Sequence, residues 1–250
     1  MQKVKLPVTL TLMCLISACP AAPHSPPTQI VYRFDDHRYL ELTGFDCQGG
    51  LRYIDTQKNI HSEIYEMSDG YRVFTKKFIH PSERYIVIPQ FNSTSSYLIS
   101  KDFGKTWEGA RFSPGGGAVK NGASYPEYQF VESITVVNDQ GFVLTNSGDL
   151  YMSSKPFDDP RLEPGGSGID YVYTSRRGTS EHHLNPIDSS VGSQWGKHYL
   201  SWNSVQMPTP WQTFAYQSNF QGIPNKVPEV KNYTGWDHMR CDPNLGMASQ

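Results

Sequence analysis

The chain has no charge excess of either sign. Its 22 Lys+Arg stand against 24 Asp+Glu in 250 residues, a formal net charge of -2. No basic run is present of the kind that tracks a phosphate backbone, which argues against nucleic acid as a partner. Helical periodicity is also missing. Past the leader, no segment holds apolar residues at 3.6-residue spacing for three turns, so a helical bundle is excluded. There is no Gly-x-Ser-x-Gly nucleophile elbow. The glycine run in Ser113-Pro114-Gly115-Gly116-Gly117 lacks the Lys-Ser/Thr and helix of a phosphate-binding loop. Cysteine is scarce, at four residues. What is plentiful is 15 Tyr, 12 Phe, 21 Gly and 18 Pro, a mixture that favours strands and tight turns.

The first residues read as an export address. Lys3 and Lys5 precede a mostly apolar stretch from Leu6 to Leu15, and Ile16-Ser17-Ala18-Cys19 follows. That tetrapeptide fits a bacterial lipobox, with residues 1–18 as signal peptide and Cys19 as the lipid attachment point. An ordinary secretory signal with an incidental cysteine is the alternative. The apolar stretch is short for a membrane span, whereas a multiply acylated Cys19 would anchor firmly. The expected location is the periplasm, lipid-anchored on the periplasmic face of the outer membrane. Residues 19–29, with Pro20, Pro23, Pro26 and Pro27, form a tether, and 30–245 a single β-rich domain. Cys47 and Cys241 are then left in an oxidising compartment and form either one disulfide or two separate buried thiols.

Ser100-Lys101-Asp102-Phe103-Gly104-Lys105-Thr106-Trp107 is a complete Asp-box, Ser-x-Asp-x-Gly-x-Thr-Trp. Asp102 folds its carboxylate onto nearby backbone N–H groups. Gly104 reverses the chain at positive φ. Thr106 restarts an extended segment, and Trp107 lays an apolar ring beneath the turn. These five positions, Ser100 included, read as structural. The fold expected is all-β, β-propeller-like or a related meander with one full Asp-box.

Leu51 to Asp55 alternates at period two, and Ile60 to Met67 follows less cleanly. Strands are expected at Ile30 to Phe34, Tyr39 to Thr43, Leu51 to Asp55, Ile60 to Met67 and Tyr71 to Phe74, with Ser68-Asp69-Gly70 as a hairpin turn. Arg84 to Pro89 and Tyr97 to Ser100 lead into the Asp-box. Glu132 to Asn138, Phe142 to Thr145 and Leu150 to Ser153 form a three-strand meander turned at Asp139-Gln140-Gly141 and Asn146 to Asp149. Pro156 to Gly168 is a long loop, Ile169 to Tyr173 a strand, and Arg176 to Ser193 polar and irregular. Further strands are expected at Lys197 to Ser201 and Trp211 to Tyr216.

Chemistry-bearing clusters are thin. His182-His183 beside Glu181 matches no zinc spacing, since neighbouring side chains on an extended chain face opposite ways. Pro160 and Pro164 interrupt the calcium-loop spacing around Asp158, Asp159 and Glu163. A sialidase would need an arginine triad, for which Arg33, Arg52 and Arg84 are available, but the Phe-Arg-Ile-Pro signature is missing. No catalytic, cofactor or metal residue is assigned.

The phrases Val31-Tyr32-Arg33-Phe34-Asp35-Asp36-His37-Arg38-Tyr39, Ile79-His80-Pro81-Ser82-Glu83-Arg84-Tyr85, the Asp-box, Pro114 to Gly117 and Tyr151 to Pro160 resemble the type VI secretion lipase-immunity lipoproteins. The resemblance covers roughly residues 30 to 175. It implies a non-enzymatic protein that binds and neutralises a cognate antibacterial phospholipase effector in the periplasm. A glycan-binding or sialidase-like lipoprotein and a structural envelope lipoprotein are the alternatives. Because Arg and Trp dominate interface hot spots, contacts are expected at Arg161, Glu163, Arg176, Arg177 and Trp195.

Overall fold

A computed structural model describes residues 25–111, 128–146, 148, 150–153, 160–161, 165–175, 178–184 and 226–246. Among these residues there is no α-helix, and the strands form four sheets. The first sheet is an antiparallel meander of β1 (Thr28–Arg33), β2 (Arg38–Phe45), β3 (Gln48–Asp55) and β4 (Ile60–Tyr65). Period-two alternation builds it. Arg38, Leu40 and Leu42 of β2 and Leu51, Tyr53 and Asp55 of β3 point inward and are buried, while Tyr39, Glu41, Thr43 and Phe45 face out. A two-residue turn joins β2 to β3, with Asp46 at φ 49° and Cys47 at φ 57°, the backbone signs of a type I′ hairpin. Thr28 and Gln29, expected in the tether, pair with Thr43 and Leu42 as part of β1.

The Ser68-Asp69-Gly70 turn does not make a hairpin. A 3-10 turn, Met67–Asp69, closes with Gly70 at φ 61°, and the chain continues as β5 (Tyr71–Arg72) along the edge of β3 that β4 also pairs. The turn signal is real, but it shifts one strand sideways instead of reversing it.

A second sheet holds β6 (Lys77–Ile79), β10 (Val131–Val137), β11 (Gln140–Thr145) and β12 (Leu150–Met152). Strands β10 to β12 are the expected meander, and β6 joins it parallel to β10. Its turn falls at Asn138 and Asp139, φ 53° and 58°, so Gln140 and Gly141 already belong to β11. The third sheet is β7 (Ile86–Gln90), β8 (Ser93–Ser100) and β9 (Glu108–Arg111). The fourth is the hairpin β13 (Ile169–Ser175) and β14 (Gly178–Leu184). Strand β14 overturns the irregular reading of that stretch. Its polar composition hid it, but backbone pairing from Ile169↔Leu184 to Ser175↔Gly178 needs no apolar side chain. The strands expected at Lys197 to Ser201 and Trp211 to Tyr216 lie outside the described residues.

One core runs through the first three sheets, with Val31, Tyr32, Phe34, Tyr53, Phe78, Tyr85, Ile88, Tyr97 and Ile134 all buried. Residues 226–246 form an extended strap without strands. It lies along the free edge of β1, with Trp236 N–H donating to Arg33 C=O and Arg240 N–H to Val31 C=O, each at 2.8 Å. Covering a strand edge in this way removes a template for unwanted pairing. Cys241 on the strap is disulfide-bonded to Cys47, with Cα atoms 5.9 Å apart across a sequence separation of 194.

Closing so long a loop restricts the unfolded chain, which on the chain-entropy account stabilises by about 5 kcal/mol. The Cys47→Ala/Cys241→Ala variant is expected to lose stability in chemical denaturation, approaching that figure. Wild type in reductant should fall to the same midpoint, while the variant should be indifferent to reductant.

Candidate functional site

The most polar part of the interior sits where the β1–β2 turn meets the β6–β7 loop. Asp35 opens that turn by accepting the N–H groups of His37 at 3.1 Å and Arg38 at 2.7 Å. Its other oxygen takes Arg38 Nε at 2.7 Å. The guanidinium then runs inward, donating from Nη1 to Ser82 C=O at 2.7 Å and from Nη2 to Pro81 C=O at 3.2 Å, with Phe34 beneath it at 5.5 Å. Arg38 is buried. All three of its nitrogens hold partners, so it is a joint between segments and not a substrate clamp.

His80 lies beside it, with Phe34 and Phe78 edge-on to its ring. The N–H of Val87 donates to Nε2 at 3.0 Å, which places the ring proton on Nδ1. Burial, reinforced by the positive Arg38, pushes the imidazole down to about 3. Tyr233 of the strap donates to Tyr32, 2.7 Å away, and Tyr32 donates on to Phe78 C=O at 2.9 Å. The Tyr32 phenol is held well above its ordinary range by burial and by Tyr233. These groups are proton-inert near neutral pH and enclosed, which gives acid–base chemistry no opening.

The Asp-box performs as its residues dictate. Ser100 Oγ donates to Asp102 Oδ1 at 2.8 Å, and Oδ1 also receives the N–H of Lys105 at 3.1 Å and of Thr106 at 2.9 Å. Thr106 Oγ1 donates to Oδ2 at 2.7 Å. Burial raises the Asp102 carboxyl most among single influences, yet the combined donations from Thr106, Ser100 and Lys105 hold it below its usual range. Gly104 turns at φ 85°, where an added Cβ would sit 2.3 Å from the Tyr53 ring. Trp107 stacks edge-on to Tyr53 at 5.9 Å and donates Nε1–H to Ser62 Oγ at 2.9 Å. The hairpin is thereby riveted onto the first sheet.

The other candidates stay apart. Arg33 lies over Tyr39, Arg52 pairs with Glu63 at 3.8 Å, and Arg84 lies over Tyr85 while donating to Lys101 C=O. Each of the three is thus engaged locally on a different element. Asp35, Asp36 and His37 bring ligand atoms within 4.8 Å of one another, but the Asp35 carboxylate is committed to Arg38 and Asp36 to His37 Nδ1 at 2.8 Å. His183 Nδ1 is 2.7 Å from Asp170 Oδ1. Of the expected contact residues, Arg161 is exposed in a turn whose carbonyl accepts Gly168 N–H at 2.8 Å. Glu163, Arg176, Arg177 and Trp195 lie outside the described residues, as do Cys19, Asp158 and Asp159. Sequence reading missed the Arg38–His80 joint. The only signal was the polar stretches Asp35-Asp36-His37-Arg38 and His80-Pro81-Ser82, which do not distinguish a joint from a solvated turn.

Residues 24–143 match a family described as the T6SS Tli3 immunity protein. No curated relative matches the chain. A solved structure described as YCF48 bound to D1 peptide overlays with 15% identity and a TM-score of 0.33, covering 68% of this chain and 55% of that chain. The chain therefore spans little more than half the length of that protein.

Two outcomes follow from this geometry. Asp102→Ala, which strips the turn of its four donations, should lower unfolding free energy by about 2 kcal/mol in denaturant titration. His80 is neutral when folded and titrates near its ordinary value of 6.5 when unfolded, so the unfolded state takes up the extra proton as pH falls. Stability from this group is complete above pH 6.5 and declines toward pH 3, by up to about 1.4 kcal/mol per pH unit. His80→Gln keeps an acceptor for Val87 N–H but does not titrate. It should flatten the stability profile between pH 6.5 and 4.5, and an unchanged slope would refute the assignment.

Proposed function

We propose that this chain, whose residues 24–143 match the T6SS Tli3 immunity protein family, neutralises a phospholipase effector in the periplasm by occupying the effector's surface. The family match carries the reading, and it implies a cognate type VI secretion effector as partner. The phospholipase identity rests on the resemblance in the phrases around Arg38, His80 and Tyr151. The disulfide between Cys47 and Cys241 fits an oxidising compartment. Cys19 is the proposed lipid anchor, and a propeller-like β scaffold is the proposed architecture. Arg161, Glu163, Arg176, Arg177 and Trp195 are further proposed contacts with the effector.

An inhibitor of this kind needs rigidity and a shaped surface, not reactive groups. The interior supplies the first, since its ionisable groups are spent on holding segments together.

The test is genetic and biochemical. A strain lacking this gene but keeping the neighbouring effector should be killed by toxin-armed kin, and the exported chain should restore survival. The purified mature domain should form a stable complex with that effector and abolish its lipid hydrolysis. Full survival of the deletion strain under attack would remove the reading.

A further inference from the structure

Four large apolar side chains are exposed among the described residues, and three of them gather at one end of the first sheet. Phe45 is 38% exposed at the tip of the β2–β3 hairpin, Met67 is 50% exposed on the 3-10 turn, and Leu245 is 37% exposed on the strap. Covalent and close contacts bring them together. Gly44, next to Phe45, donates its N–H to Pro27 C=O at 3.0 Å, and an added Cβ on Gly246, next to Leu245, would lie 2.8 Å from the Pro27 ring. Gln48, paired across from Phe45, reaches over Gly70, and Gly50 N–H points at Met67 Sδ at 3.3 Å. The disulfide pins hairpin to strap in the middle of the group.

Exposed carboxylates surround these apolar residues: Asp46 in the hairpin turn, Glu66 before Met67, and Asp242 beside Cys241. No ion pair neutralises any of the three among the described residues. A fixed apolar surface studded with unneutralised anionic oxygens has the chemistry of an anionic bilayer surface, where acyl chains lie among phosphates. Amphipathic segments that lie on such bilayers meet them with an apolar face flanked by Lys and Arg, the complement of this patch. Position agrees. The patch surrounds Pro27, and the eight residues back to Cys19 reach at most about 29 Å when extended, so a lipid anchor keeps this end close to the membrane where a phospholipase acts.

We propose that the disulfide-pinned end bearing Phe45, Met67, Leu245, Asp46, Glu66 and Asp242 docks the membrane-binding face of the phospholipase effector by imitating an anionic bilayer. This inference rests on the immunity reading and adds the surface and the chemistry of its partner. The effector bound here is held off the membrane, whether or not its active site is blocked. The same carboxylates repel phosphate headgroups, so the patch does not itself adhere to anionic lipid.

The experiment uses the mature full-length domain, the effector from the neighbouring reading frame, and vesicles of phosphatidylethanolamine and phosphatidylglycerol. Wild type should bind the effector and displace it from the vesicles, with affinity falling as salt rises. The variant Phe45→Ser/Met67→Ser/Leu245→Ser should weaken binding at least 100-fold, and Asp46→Asn/Glu66→Gln/Asp242→Asn should weaken it at least 10-fold and flatten the salt dependence. Both sets are surface changes, and unfolding midpoints near wild type confirm folding. If the apolar triple variant fails that check, the carboxylate variant alone decides. Wild-type affinity in both variants overturns the docking surface and leaves the immunity reading standing. A wild-type complex that still binds vesicles overturns the bilayer imitation. Patch-dependent binding of the chain to the vesicles, or patch-dependent self-association in sedimentation, overturns it as well. Failure of wild type to bind the effector at all removes the immunity reading and this inference together.

Discussion

The fold depends on one buried cation. Removing a guanidinium from water is costly unless the site returns its hydrogen bonds, and Arg38 recovers them from three acceptors on two separate segments. The Asp35 carboxylate comes from its own turn, and the carbonyls of Pro81 and Ser82 come from the loop that leads from the second sheet to the third. That loop is held in turn by Ser82 Oγ receiving Asp139 N–H at 3.3 Å and by His80 receiving Val87 N–H. Three sheets are therefore registered through one residue. Residues 31–39 and 79–85, two of the phrases on which the family resemblance stands, are the two halves of this joint. Their length is explained by geometry. A joint that spends a backbone turn, a carboxylate, two carbonyls and the Phe34 ring on one cation leaves few of its positions free.

The strap extends the same logic to the C-terminus. Residues 226–246 lie beyond the family match, which ends at Val143, yet they complete the matched part. Tyr233 feeds the hydrogen-bond chain through Tyr32, Asp237 C=O accepts Phe78 N–H at 2.8 Å, and Met239 is buried in the core. Backbone pairing at Arg33 and Val31 covers the β1 edge without forming a regular strand. Side-chain and covalent locks substitute for a ladder here, and the Cys47–Cys241 bond is the last of them.

Elements governed by local rules were legible in the sequence. Apolar, β-branched runs between turn residues marked β10 and β11, which are buried on both faces, alternation marked β3, and the Asp-box declared itself because each of its positions has a separate steric or hydrogen-bonding task. Elements governed by pairing partners were not. Strand β14 is polar and is held by its neighbour. Strand β5 looked like the far arm of a hairpin because Gly70 takes the left-handed conformation that either a reversal or a sideways shift requires. The Arg38 joint was invisible for a related reason, since Asp35-Asp36-His37 reads as a solvated turn until Pro81 and Ser82 arrive from 43 and 44 residues away. The disulfide was legible as a possibility by counting thiols in an exported chain, but its place at a hairpin tip was not.

The candidate interface was the least legible, and the reason is physical. Catalytic groups betray themselves through spacing and unusual types, whereas an inhibitory surface is made of ordinary residues whose distinction is to be where the fold has no use for them. Phe45 continues the outward row of β2 and carries no pattern that separates it from a core residue. Only its place at the end of the sheet, beyond the last covering element, exposes it. Exposure of an apolar ring is tolerated anywhere as a single event, but here hairpin, 3-10 turn and strap converge on one point and are bolted there. The interior alone does not require the apolar residues on them to face solvent, and a Ser or Thr at the same three positions would satisfy the same backbone. A surface that retains apolar and acidic groups at its most constrained point is built to keep its shape while something else covers it.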